Sequence, residues 1–554
     1  MNKKVCSFPI LFALLALLIG TCAVVFPASA QAAPTSTGSI TVSGTVASSY
    51  DAYQIFSANV VDGDSDAKIA TDLAWASDAV RDAALPVLHS AGMPNSQTTA
   101  QEAAEWLNTD SHLTSALSAQ LARSLQNSGA VSVALNAGTA AELPCGYWLI
   151  VAKDDAIAQG EAGTAPIMAL VGGSAVTVKP KAATPKVSKH VLEDSTAAWQ
   201  KAADATVADD LYWRLSATVP AGLAAYDTYA VQFVDTMSAG LDPSKVAASV
   251  RVYVAAGADG GFDAVSANKD GRAGTEPAKG WTDITAQCRV SADGKTFTVR
   301  TGDLIAALGG ADAFTAGARV VAVYNAPLNS ACNHGIAKGN PNEVYLRYPR
   351  SPFADQSGDA GFTRTPSDDA CAYTWDLALT KRGSDGDKPL AGAVLSITDD
   401  RGRTLAADGT WDAEGKATVT TGEDGRVTVS GVDSGKLEVR ELKAPKGYTA
   451  FEGTRSVTVK AEGLDVDQVA AAKPKLTITA ESPLRADSAD GSTGSLEASL
   501  INTPTGTPPS ITTGGFMPST GDMAMYAAAA AAVAGAALIV VALLVKRGGG
   551  SHKE

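Results

Sequence analysis

Leu437-Glu438-Val439-Arg440-Glu441-Leu442-Lys443-Ala444-Pro445-Lys446-Gly447-Tyr448 is the stretch whose reading decides the fold. Leu437, Val439 and Glu441 alternate with polar neighbours, the period of a strand with one buried face, and Pro445 and Gly447 then break it. A carboxylate therefore shares a face with two apolar side chains. The pattern recurs elsewhere: Leu377, Leu379 and Lys381 alternate, and so do Ala498, Leu500 and Asn502. Three strands each aim one polar group at a common apolar layer.

The quoted stretch closely resembles the E-box of CnaB-type pilin domains, with Leu437 in place of the leading Tyr. Its flanks agree: Leu379-Thr380-Lys381 precedes Pro389-Leu390-Ala391-Gly392-Ala393, and Ile501-Asn502-Thr503-Pro504 closes the segment. The resemblance implies an Ig-like β-sandwich over 370–503 with a self-formed amide between Lys381 and Asn502, for which Glu441 is the catalyst. Burial disfavours both charged forms, so a neutral amine and a protonated acid can coexist. The amine attacks the side-chain carbon of Asn502 while Glu441 polarises the amide oxygen and shuttles protons, and ammonia leaves. The alternative is a buried Lys–Glu–Asn hydrogen-bond network, held at considerable desolvation cost.

The segment 186–355 carries a second inward lysine. Val187, Lys189 and Val191 share one strand face, and Tyr229, Val231, Phe233 and Asp235 alternate farther on. Asp235-Thr236-Met237 resembles the Asp-Thr-Leu/Met segment of the middle domain of Gram-positive pilins, where a Lys and an Asn are joined beside a catalytic Asp. The family's closing Tyr-Ser-Asn-Asn-Pro is replaced by Tyr348-Pro349-Arg350-Ser351-Pro352, without an Asn. Asn342, in phase with Val344, Leu346 and Tyr348, is the substitute partner for Lys189, with Asp235 as catalyst; otherwise Lys189 and Asp235 form a plain buried ion pair.

The segment 35–181 opens with Ile40, Val42, Gly44 and Val46 in period two, and its middle reads as helical. Thr99 and Glu102 have capping-box spacing, Trp106 and Leu107 follow, and Leu113, Leu117, Leu121 and Leu125 recur every four residues. Its end, Val176-Thr177-Val178-Lys179-Pro180-Lys181, resembles the pilin motif of backbone pilins, with Lys179 where Tyr is expected. That resemblance assigns Lys181 as the amine that attacks a second subunit; Lys179 is the competing nucleophile. Pro180 suits an exposed strand end because it cannot extend a ladder. The bland alternative is a solvated linker lysine.

The two ends set the compartment. Residues 1–32 hold Lys3 and Lys4, the apolar run Ile10–Ile19 and the small residues Ala28-Ser29-Ala30, the pattern of a secretory signal. After the linker 504–515, Phe516-Met517-Pro518-Ser519-Thr520-Gly521-Asp522 precedes the uncharged run 523–545 and then Lys546 and Arg547. About 23 residues at ~1.5 Å each suffice to cross a ~30 Å hydrocarbon core, and the basic pair holds its end cytoplasmic. The order of motif, span and tail in 516–554 resembles the cell-wall sorting signal Leu-Pro-X-Thr-Gly of Gram-positive surface proteins, with Met517 for Leu. By that resemblance a sortase cysteine cuts between Thr520 and Gly521.

Composition excludes several other classes. The 554 residues carry 44 Lys plus Arg against 58 Asp plus Glu, a net charge of −14, which argues against a nucleic-acid surface. Aromatics are 6% of the chain while Gly (52) and Pro (25) are frequent, which suits turn-rich β domains. Asp62-Gly63-Asp64-Ser65-Asp66 imitates a calcium loop, but Ala67 and Leu73 stand where Gly and Glu are needed. The histidines show no metal-ligand spacing, and phosphate-binding loops, nucleophile elbows and zinc-protease motifs are missing, so neither metal, cofactor nor enzymatic activity on an external substrate is expected. Beyond Cys6 and Cys22 of the signal lie Cys145, Cys288, Cys332 and Cys371; in an oxidising compartment disulfides are expected, with Cys288–Cys332 the candidate pair.

The expectation is a mainly β chain of tandem Ig-like (CnaA/CnaB-type) sandwiches, some helix in the first, and a C-terminal transmembrane helix. The resemblances imply a secreted, wall-linked backbone pilin joined through Lys181 and Thr520, with sortase, further copies of itself, accessory pilins, peptidoglycan and a host or surface ligand as partners. A monomeric wall-anchored adhesin shares the signals but has no use for Lys181.

Overall fold

The computed structural model describes residues 36–506 apart from 65, 66, 110, 181–183, 269, 270 and 315. The signal, Lys181, the sorting motif Met517–Gly521 and the apolar run 523–545 lie outside the described residues. Among those described, no helix is long and apolar enough to cross a membrane. The chain is mainly β, as its composition and alternation predict, with six sheets that follow one another in three pairs.

In the first pair, a three-stranded sheet sets Thr37–Val42 between Ala140–Pro144 and Val176–Val178. It packs on a five-stranded sheet built around the long strand Ser49–Asp62 through Ile40, Val42, Tyr50, Trp148 and Ile150. Helices Asp78–Ser90, Ala100–Asn108 and Ser115–Asn127 cover the other face of that sheet. Thr99 and Glu102 form the capping box the spacing predicts. Leu117, Leu121 and Leu125 are buried, whereas Leu113 precedes the N-cap Thr114 and is exposed. The opening strand stops at Val42, so Gly44 lies in the bend that follows. Val178 pairs with Val42 in a parallel register, leaving Lys179 exposed and Pro180 buried just before Lys181.

The second pair is a sandwich. One sheet orders Ala198–Gln200, Lys186–Glu193, Tyr212–Val219, Ala318–Asn325, Arg251–Ala256 and Thr282–Asp283; the other centres on Gln232–Met237 and Asn340–Pro349. Trp213, Leu215, Ala217 and Val219 meet Val231, Phe233, Val344, Leu346 and Tyr348 between the layers. Phe362–Arg364 and Asp368–Tyr373 both pair with Asn340–Pro349 in the second sheet, so this sandwich takes two strands from beyond residue 355.

The third pair places Trp375–Gly383 parallel to Ser495–Pro504 in one sheet and Gly435–Lys443 at the centre of the facing one. Strands that open and close the segment are thus neighbours. The second and third sandwiches are tied by Arg401 to Asp209 at 2.8 Å, by Trp375 Nε1 donating to Asp204 at 2.6 Å, and by a backbone contact of Gly335 with Gly494. A Cβ on Gly335 would stand 2.5 Å from the Gly494 nitrogen, at φ +74. Gly335→Ala is therefore expected to cost more than ~1 kcal/mol, read as a lower melting temperature and faster proteolysis near 335 and 494. An unchanged melt and digest would show that the contact is loose.

Candidate functional site

Lys381 and Asn502 come from adjacent parallel strands, in the register Lys381 opposite Leu500 and Gly383 opposite Asn502, so both side chains project from one sheet into the core. Glu441 reaches them from the facing sheet. All three are buried, at 0%, 2% and 6% exposure. One carboxylate oxygen, Glu441 Oε1, lies 3.5 Å from Lys381 Nζ and accepts the Asn502 Nδ2 donor at 2.9 Å. Oε2 accepts from the Phe451 amide at 3.1 Å, which fixes the carboxylate. Lys381 Nζ also donates to the Leu500 carbonyl at 3.2 Å. Burial pulls the amine down to about 8, with the Glu441 charge opposing the shift.

This arrangement can move a proton. The same oxygen touches the would-be nucleophile and the would-be leaving nitrogen, so a proton taken from the amine can be handed to the departing ammonia. It does not face the amide oxygen: Asn502 Oδ1 has no hydrogen-bond partner. Glu441 Oε1 thus faces the amine of Lys381 and the amide nitrogen of Asn502.

A second buried cluster bridges the middle sandwich. Lys189, paired in register with Leu215, and Tyr324, paired with Trp213, belong to one sheet. Asp235 and Asn342 belong to neighbouring strands of the other, and all of Lys189, Asp235, Tyr324 and Asn342 are fully buried. Lys189 Nζ donates to Asp235 and, at 2.9 Å, to the Tyr324 hydroxyl. That hydroxyl donates to Asp235 at 2.9 Å and accepts from Asn342 Nδ2 at 2.8 Å. Burial brings the Lys189 amine down to about 8 and raises the Asp235 carboxyl, each against the pull of the other. Sequence reasoning missed Tyr324, although it continues the buried series Ala318, Val320, Ala322. It also missed Lys201, whose Nζ binds Asp368 and, at 2.9 Å, the Lys189 carbonyl.

The expected Cys288–Cys332 disulfide is not formed, and Cys145, Cys288, Cys332 and Cys371 are all free thiols. Cys288 follows the turn Thr285–Gln287 and donates to the Ile284 carbonyl at 3.3 Å; Cys332 lies in the loop after Ala318–Asn325, 3.5 Å from His334 Nε2. Each sulfur is engaged with its own local partner, so shared membership of one segment does not bring the pair together.

Comparison with known proteins adds two findings. The SpaA prealbumin-like fold domain matches residues 376–473, the stretch that holds Lys381 and Glu441. The trypsin-resistant surface T6 protein of Streptococcus pyogenes serotype M6 is 30% identical over 143 residues, which is 24% of this chain and 24% of that protein. Among solved structures, the T6 backbone pilin of serotype M6 Streptococcus pyogenes aligns at a TM-score of 0.45 and 16% identity, over 85% of this chain and 98% of that one. The major pilin SpaD of Corynebacterium diphtheriae aligns at 0.41 and 15%, over 86% and 100%.

Proposed function

We propose that the chain is the structural subunit of a covalently polymerised cell-surface pilus, linked through Lys181 and Thr520, and that Lys381 and Asn502 are joined by an amide formed with the help of Glu441. The buried Lys381–Glu441–Asn502 cluster, set between the strands that open and close the third sandwich, carries this reading. A neutral Lys381 amine attacks the Asn502 side-chain carbon, Glu441 passes the proton to the leaving nitrogen, and ammonia departs. The charged network is then replaced by a neutral amide. A bond between those two strands passes tension across the sandwich without stretching the sheets between them. Similarity to a SpaA prealbumin-like domain and to a trypsin-resistant surface protein supports the same reading.

Export by the segment 1–32, cleavage between Thr520 and Gly521 by a sortase and capture of the acyl group by Lys181 of another copy would build the shaft. Peptidoglycan and accessory pilins would take the same acyl group. The test is a detergent-boiled cell-wall extract probed for this chain. A ladder of high-mass species that disappears in Lys181→Ala is expected; a single band in the unmodified strain would favour a monomeric anchored adhesin instead.

A further inference from the structure

Outside the two lysine clusters, the loop between Ala318–Asn325 and Asn340–Pro349 brings a sulfur and an imidazole up to a carboxylate of the strand Trp375–Gly383. Cys332 Sγ lies 3.5 Å from His334 Nε2, and His334 Nδ1 lies 2.8 Å from Asp376 Oδ1. That second approach is not an aligned hydrogen bond, so Asp376 acts on the ring by its charge. The three groups are held in place. Asp376 accepts from Ser430 Oγ at 2.7 Å and the Gly431 amide at 3.0 Å. The loop is fixed by the Cys332 amide on the Asn329 carbonyl, the Asn333 amide on Asn340 Oδ1 and the Gly335 amide on the Thr374 carbonyl. Cys332 and His334 are half-buried, Cys332 packing against the edge of the middle core.

We propose that Cys332 is a base-assisted nucleophile that takes up small exogenous disulfides, with His334 as its general base and Asp376 as the group that stabilises the resulting imidazolium. Burial first, and the Asp376 charge second, push the Cys332 thiol up to about 11, so at neutral pH it stays protonated, with its sulfur 3.5 Å from His334 Nε2. As Cys332 Sγ attacks one sulfur of a disulfide R–S–S–R, its proton passes to His334 Nε2. The old S–S bond breaks, and the leaving thiolate takes that proton back as R–SH. The protein gains a mixed disulfide at Cys332: its sulfur goes from thiol to disulfide level as one sulfur of the reagent goes from disulfide to thiol level, and the exchange needs no other oxidant.

Cys288 is a built-in control. It is half-buried as well, and burial pushes its thiol up to about 11 too, but its sulfur faces the Ile284 carbonyl, which cannot accept a proton. The two thiols differ chiefly in the base.

The test treats the reduced full chain with 2-hydroxyethyl disulfide at neutral pH and follows the adduct on each cysteine by peptide mass mapping. Cys332 is expected to react about 100-fold faster than Cys288, in line with what a positioned base contributes. His334→Gln is expected to bring Cys332 down to the rate of Cys288, leave Cys288 unchanged and keep the melting curve. Equal rates at the two cysteines of the unmodified chain would overturn the proposal without any variant, and so would an unchanged Cys332 rate in a folded His334→Gln protein.

Discussion

Replacing Glu441 by Gln is expected to leave Lys381 and Asn502 unjoined, so that the intact chain weighs one ammonia more, relative to the mass its sequence demands, than the unmodified protein does. The reason is local: Oε1 of Glu441 alone touches both Lys381 Nζ and Asn502 Nδ2, and a carboxamide there cannot carry a proton from one to the other. Gln keeps the shape and still bonds to its neighbours, so the sandwich forms. What it loses is the tie between its opening and closing strands. Closing a loop of roughly 120 residues is worth about 5 kcal/mol if the chain-entropy estimate for disulfides transfers. That corresponds to a fall of about 10–20 °C in the melting step of this sandwich. Trypsin should then cut the variant where the parent resists. A parent chain whose mass already equals its sequence mass would refute the amide outright, and a Gln variant with the parent's mass deficit would remove Glu441 from the chemistry.

The third sandwich was legible because each of its three polar core residues sits in a strand with clean alternation. In Leu377–Lys381, Leu437–Glu441 and Ala498–Asn502 the apolar side chains fix the parity and so the direction of the polar one. The middle sandwich is harder to read for a physical reason. The strand Ala318–Asn325 is almost wholly buried on both faces, so its sequence shows no alternation, and nothing in it marks Tyr324 as facing the lysine. The helix Asp78–Ser90 hides differently: Pro86 lies inside it, a residue that ordinarily ends a helix. Disulfide pairing was illegible because spacing along the chain says nothing about where two sulfurs point; Cys288 and Cys332 share a segment and have separate neighbours. Lys201 was missed because its contacts, the Lys189 carbonyl and Asp368, come from strands whose adjacency only the sheet order reveals.

Asp235→Ala is expected to destabilise the middle sandwich by about 3–5 kcal/mol, the usual cost of leaving one member of a buried charge pair alone. Lys189 is fully buried, and the Tyr324 hydroxyl is the polar side chain its amine still reaches once the carboxylate is gone, so its charge is left without a counter-charge in contact. Replacing both members together, Lys189→Met with Asp235→Leu, is expected to cost much less than Asp235→Ala alone, because it fills the space with apolar side chains and leaves no buried charge behind. That ordering holds only while Lys189 is a free amine, and the contacts argue that it is. The Tyr324 hydroxyl spends its donor on Asp235 and both acceptor positions on Lys189 and Asn342, which keeps the lysine and the asparagine on opposite sides of one oxygen. The pH dependence of stability supplies an independent measure. A Lys189 amine held at about 8 gives up its proton in the native state well before an unfolded lysine does near ~10.4, so unfolding in that window takes up a proton at Lys189 and this group's contribution to stability rises with pH, while the thiols of Cys288, Cys332 and Cys371, held at about 11 by burial, contribute a fall over part of the same window. The raised Asp235 carboxyl acts in the opposite sense and lower down: the native state keeps its proton longer than the unfolded chain, so its contribution is lost as pH climbs above the ordinary carboxylate range. An amide at Lys189 abolishes the alkaline rise, because an amide nitrogen does not titrate there. Urea denaturation at a series of pH values, read beside the intact mass, therefore decides the matter. One ammonia missing, together with an alkaline contribution to stability that disappears when Lys189 is replaced by Met, is the expected result; a second missing ammonia would mean that Lys189 is joined to Asn342, and a missing water that it is joined to Asp235.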